Sequence, residues 1–135
     1  MRRVVITGMG INSCIGNTLE QVTESLKNGI SGTRFNQTYA DLNFKSHVSA
    51  AAEQDFDNID RKLKRFMGVC AMYAYNSAVD AVKHAGLTAE DLAGNPRYGI
   101  VGGSGGGSTA SVVEMTELLE TKGARKVGPF FVPRN

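Results

Sequence analysis

Val4-Val5-Ile6-Thr7-Gly8-Met9-Gly10 decides the reading of this chain: four β-branched residues in a row, halted by a pair of glycines. β-Branched side chains are stiff at χ1 and suit a pleated surface, and an unbroken run bounded by glycine is the pattern of a short strand covered on both faces. Outward from it, Asn17 with Glu20 three residues later forms a capping-box signal. Leu19, Val22 and Leu26 then recur at helical spacing until Gly29. Residues 30–58 hold scattered single apolar residues with no sustained period and read as an irregular, ordered excursion over the surface. A longer helix follows, capped by Asp60 and carrying Leu63, Phe66, Met67, Cys70, Tyr73, Ala74, Ala78, Val82 and Ala85 on one side, with Gly86 closing it. Thr88 to Asp91 restarts a short helical turn, and Asn95-Pro96 ends it before Tyr98-Gly99-Ile100-Val101, a second strand. A glycine-rich turn, Gly102 to Ser108, leads into a last helix marked by Val112, Val113, Met115, Leu118 and Leu119. Strands alternating with helices predict α/β architecture with a mainly parallel sheet and flanking helices.

With 135 residues, 41% of them apolar and 21% charged, the chain has the size and composition of one globular domain. A formal net charge of +2 is too mild to argue for nucleic acid or a membrane surface, so any site for a charged partner must be local. No apolar run approaches the roughly 20 residues of a membrane span. Cys14 and Cys70 lie in segments that read as buried, and no apolar leader precedes Val4. Both features predict a reduced, cytoplasmic setting without a disulfide. The sequence ends at Pro133-Arg134-Asn135, directly after the apolar run Phe130-Phe131-Val132, which reads as an interrupted domain.

Several chemical motifs fail on spacing. After Gly8-Met9-Gly10 the next glycine is Gly16, so the dinucleotide-binding G-x-G-x-x-G pattern is not met. The run from Gly102 to Ser108 lacks the lysine of a phosphate-binding loop, and few triad partners exist to make Ser104 a hydrolase nucleophile. Glycines here make better sense where a side chain would block a second backbone or an extended ligand. His47 and His84 are unconvincing as catalytic bases, and the two cysteines have no partner at metal-ligand spacing. Neither a metal nor a cofactor is predicted. Arg61, Lys62, Lys64 and Arg65 crowd the first turns of a helix, where the macrodipole disfavours cations, and Lys122, Arg125 and Lys126 form a second cluster. On spacing alone these are either a face for an acidic partner or two solvated runs.

Read together, Arg3 to Gly10 followed by Ser13-Cys14-Ile15-Gly16-Asn17 resembles the opening signature of the β-ketoacyl synthases. Leu26-Lys27-Asn28-Gly29 with Ser31-Gly32, Asp60-Arg61-Lys62 with Arg65-Phe66-Met67, Asn95-Pro96-Arg97 and Gly103 to Ser108 agree in family order, so the resemblance covers the whole chain. Gly106 is similar to the type I pattern, whereas Gly128-Pro129-Phe130-Phe131-Val132-Pro133 is closer to type II wording. The resemblance implies the N-terminal portion of a thiolase-like α-β-α-β-α fold, and a homodimer that condenses malonyl and acyl groups held on acyl carrier protein. It implies further that the nucleophilic cysteine and its two histidines lie beyond Asn135. Residues 1–135 are then a partial domain with no catalytic residue and no activity of its own, or a non-catalytic carrier-binding or scaffold module. Gly106 and Phe131 would line the acyl channel. Lys62, Arg65, Lys122 and Arg125 would dock the acidic carrier protein, with no role for nucleic acid or membrane.

Overall fold

The computed structural model describes residues 3–134. Its first helix, α1 (Leu19–Lys27), is capped by Thr18, whose side chain accepts the Gln21 amide N–H, and Glu20 and Lys27 complement the dipole at either end. The capping frame is one residue later than the Asn17–Glu20 spacing predicts. The N3 position therefore belongs to Gln21, whose Oε1 accepts the Asn17 amide at 2.9 Å. The excursion holds a small hairpin that the absence of periodicity conceals: strand β1 (Arg34–Phe35) pairs antiparallel with β2 (Val48–Ser49), Arg34 opposite Ser49. Between them lies α2 (Gln37–Asp41), capped by Asn36, whose Nδ2 also donates to Ser49 Oγ at 3.0 Å.

The long helix expected from Asp60 is two helices. Asp60 caps α3 (Arg61–Lys64), and α4 (Val69–His84) starts only after Gly68. A Cβ at Gly68 would meet the Arg134 carbonyl oxygen at 2.5 Å and Ser108 Cβ at 2.9 Å. The break thus falls where other parts of the chain approach too closely for any side chain, a constraint that helical periodicity does not carry. Beyond α4 come α5 (Ala89–Leu92), α6 (Thr109–Lys122), a 3₁₀ turn (Ala124–Lys126) and α7 (Phe131–Arg134), the last not signalled by the sequence.

The predicted parallel sheet is not seen among the described residues. Residues 4–7 and 98–101 carry no strand pairing, and the only sheet among the described residues is the two-stranded antiparallel β1–β2. A strand buried on both faces needs neighbours in its sheet and helices above and below it. Here Val4 is 94% exposed and Val101 is fully exposed. The same shortage shows in the core, where Ile59 and Phe131 are the buried hydrophobic side chains among the described residues.

The chain divides into two compact units, one made of the residues up to Asp55 with Ser77–Thr88, the other of Phe56–Asn76 with the residues from Ala89 on. In the first unit the Gly8–Gly10 segment lies directly on the C-terminal half of α4. An ideal Cβ at Gly8 would fall 2.1 Å from the Ala81 carbonyl oxygen, and one at Gly10 would fall 2.0 Å from that of Ser77. The glycine pair thus serves a tight backbone crossing. In the second unit Phe56 packs edge-on against Tyr73 (5.1 Å between centroids), and the buried Asn76 accepts from Asn58 Nδ2 at 2.9 Å. Phe66 meets Phe130 edge-on at 5.1 Å, joining the segment after α3 to the segment before α7.

Candidate functional site

The second unit holds a mostly apolar cavity of about 230 Å³. Its walls come from three places: Gly68, Ala71 and Ala74 at and after the start of α4, Gly106 and its neighbours before α6, and Arg134 at the end of α7. Small residues at 68, 71 and 74 recur every third position, so they share one helix face and leave space there. That spacing is legible in the sequence, but nothing in it says which face meets the glycine loop.

The cavity wall is anchored by the start of α6. Ser108 is the N-cap, its Oγ accepting the Ser111 amide at 3.3 Å and the Ser111 hydroxyl at 2.9 Å. Both serines are buried, Ser111 at 1% exposure. Upstream, Ser104 Oγ donates to the Gly106 carbonyl at 2.5 Å, closing a small turn that presents Gly106. Among the described residues no atom other than those of Gly106 and its two chain neighbours lies within 4 Å of an ideal Gly106 Cβ, so a side chain there would project into open space beside the cavity.

Of the residues singled out in the sequence, Gly106 lines this cavity and Phe131 does not. Phe131 is buried beneath the guanidinium of Arg134, which stands 5.2 Å from its ring centroid. Arg134 in turn bonds Glu114 of α6 at 3.1 Å, which fixes α7 against α6. Lys62 (α3), Arg65 (just after it), Lys122 (end of α6) and Arg125 (the 3₁₀ turn) are all exposed, and none is held in an ion pair among the described residues. Lys64 differs, pairing with Asp57 at 3.7 Å. Aromatic contact between Phe66 and Phe130 ties together the segments bearing the two clusters.

The cysteines depart from expectation. Both are free thiols, but Cys14 is half-buried and Cys70 is exposed at the start of α4, where it lines the cavity. The apolar side of the predicted helix implies burial of Cys70, yet α4 is too thinly covered there to enclose it. Among the described residues, no three His, Cys, Asp or Glu side chains converge as a metal site, and no helix is long and apolar enough to cross a membrane.

Residues 1–135 match the family model for the β-ketoacyl synthase N-terminal domain. The chain belongs to the β-ketoacyl synthase family. It is 41% identical, over 99% of its length, to 3-oxoacyl-[acyl-carrier-protein] synthase 1 of Escherichia coli strain K12, and 43% identical to the synthase 1 of Haemophilus influenzae. Those alignments cover 34% and 33% of the two relatives, so the chain spans about a third of the length of the curated relatives it matches. Among solved structures, a β-ketoacyl synthase from Burkholderia phymatum superposes with a TM-score of 0.78 at 28% identity. That superposition covers 99% of this chain and 34% of the neighbour.

Proposed function

We propose that the chain is the N-terminal part of a type I β-ketoacyl-[acyl-carrier-protein] synthase, which condenses malonyl carrier protein with an acyl thioester to give the 3-ketoacyl product and carbon dioxide in fatty acid synthesis. The observation that carries this reading is the family match across the whole chain. In this reading the thiolate nucleophile and the histidines that stabilise the oxyanion come from sequence after residue 135. Residues 1–135 alone have no condensing activity.

The acyl chain is assigned to the cavity beside Gly106, with Phe131 contributing to the channel in the complete homodimer. The empty space at the Gly106 Cβ position and the apolar walls support this. Lys62, Arg65, Lys122 and Arg125 are assigned to docking of the acidic carrier protein, a role supported by their exposure and by the lack of an ion pair to any of them among the described residues. Val4–Thr7 and Tyr98–Val101 are read as strands of the mainly parallel thiolase-like sheet, awaiting neighbours from the rest of the enzyme. Their β-branched, exposed side chains support that reading. The free thiols Cys14 and Cys70 suit a reducing cytoplasmic compartment.

The test is Gly106→Phe in the complete enzyme. Each methylene excluded from an apolar channel forfeits about 1 kcal/mol. Longer acyl substrates should therefore lose roughly tenfold or more in kcat/KM, while the shortest are retained. An unchanged chain-length profile in a well-folded variant would remove Gly106 from the channel.

A further inference from the structure

In the first unit the glycine crossing is tied to α4 by a bond that depends on one proton. The Met9 amide N–H donates to His84 Nδ1 at 3.0 Å. Nδ1 can accept only through its lone pair, so the ring must be neutral with its proton on Nε2. A second anchor, Asn12 Nδ2 to Ser77 Oγ at 2.5 Å, involves two groups that do not titrate in this range.

Two carboxylates stand near the ring. His84, Asp80 and Glu20 line one cavity of about 210 Å³ together with Met9 and Gly10. Glu20 comes from the first turn of α1, while Asp80 stands one helical turn before His84 on α4. Lys83, the neighbouring cation on α4, is directed to Asp80 at 4.0 Å. From Val4 to Asn17 the crossing segment carries no charged residue, so it places no countercharge against the ring. Glu20 has its carboxyl held below the ordinary range chiefly by its own backbone N–H and the Thr18 hydroxyl, with the His84 cation a smaller cause in the same direction. The imidazolium and this carboxylate are therefore within electrostatic reach of each other.

We infer that His84 is a proton-operated latch on the Gly8–Gly10 crossing: the neutral ring holds the Met9 amide, and protonation releases it and turns the ring towards Glu20 and Asp80. The step is a simple proton uptake at Nδ1. It converts the acceptor of the Met9 bond into a donor, so the amide and the ring then repel. Crossing and helix stay in contact through Asn12 and the glycine packing, so acid loosens the N-terminal segment without detaching it.

The experiment uses the full chain labelled with ¹⁵N. Imidazole nitrogen shifts give the tautomer and titration of His84, and hydrogen exchange, corrected for the intrinsic pH dependence, gives the protection of the Met9 amide. Protection should fall roughly 3–10-fold, the worth of one exposed hydrogen bond, along the His84 titration curve. In His84→Asn, whose Oδ1 can take the place of Nδ1 and does not titrate, protection should be retained and independent of pH. The same variant takes from Glu20 the cation that helps to hold its carboxyl low, so the Glu20 titration should move to higher pH. An Nδ1-protonated tautomer at neutral pH, or the same acid-dependent loss in His84→Asn, overturns the latch. A Glu20 titration unmoved in His84→Asn overturns the transfer to Glu20.

Discussion

Replacing Ser108 by alanine tests whether the α6 cap holds the cavity wall. The Ser108 hydroxyl is the acceptor for both the amide and the hydroxyl of Ser111, all of it buried. Loss of an N-cap costs about 1 kcal/mol. Stranding the buried Ser111 hydroxyl adds about 1 kcal/mol more, less whatever it regains by turning to a carbonyl of the preceding turn. Ser108→Ala should therefore lose about 2 kcal/mol. Ser111→Ala removes only a donor and leaves its own amide still capped, so it should lose less than about 1 kcal/mol. In the double variant no stranded hydroxyl remains, and the total should fall short of the sum of the singles by about 1 kcal/mol. Urea denaturation of the full chain followed by far-ultraviolet circular dichroism measures all three. Equal costs for the two single variants, or strict additivity in the double, would refute the argument that one oxygen serves two donors.

Gly10→Ala should lose at least about 2 kcal/mol, because the new Cβ would sit 2.0 Å from the Ser77 carbonyl oxygen and must push the crossing off α4. A thermal melt showing no loss would mean that the segment is not seated there. For Glu20 the folded-state pKa is lowered, so its contribution to stability is present above the ordinary glutamate range and disappears as pH falls through the lowered value. The acid limb of the stability profile should accordingly flatten in Glu20→Gln, and an unchanged limb would contradict the cap-centred account of that carboxylate. In the complete enzyme, Lys62→Glu with Arg125→Glu should raise KM for acyl carrier protein several-fold at low salt and leave turnover of small acyl thioesters nearly unchanged. Unaffected carrier-protein kinetics at low salt would reduce these charges to a solvated face.

The sequence by itself determined the family and those features that depend on neighbours along the chain. The ordered motifs from Arg3 to Ser108 identify the β-ketoacyl synthases, and the cap at Asp60 locates a helix start correctly, because a cap acts within three residues. Close backbone approach is found at Gly8 and Gly10, whereas Gly102, Gly103, Gly105 and Gly106 face open space among the described residues. What depends on distant partners was decided only in three dimensions. Periodicity ran one helix through Gly68, but the carbonyl of Arg134, 66 positions away, stands where a side chain would go. The β-branched runs at Val4 and Ile100 carry a strand's composition without a strand's hydrogen bonds, since composition fixes preference whereas pairing needs a second backbone alongside. Gly106 and Phe131 are read alike from sequence, yet one opens onto the cavity and the other is buried under Arg134. The Met9–His84 bond spans 75 positions and involves a backbone amide, a group that every residue type except proline possesses. No residue pattern can announce such a contact, because its existence rests on where the chain folds back and not on which side chain stands at Met9.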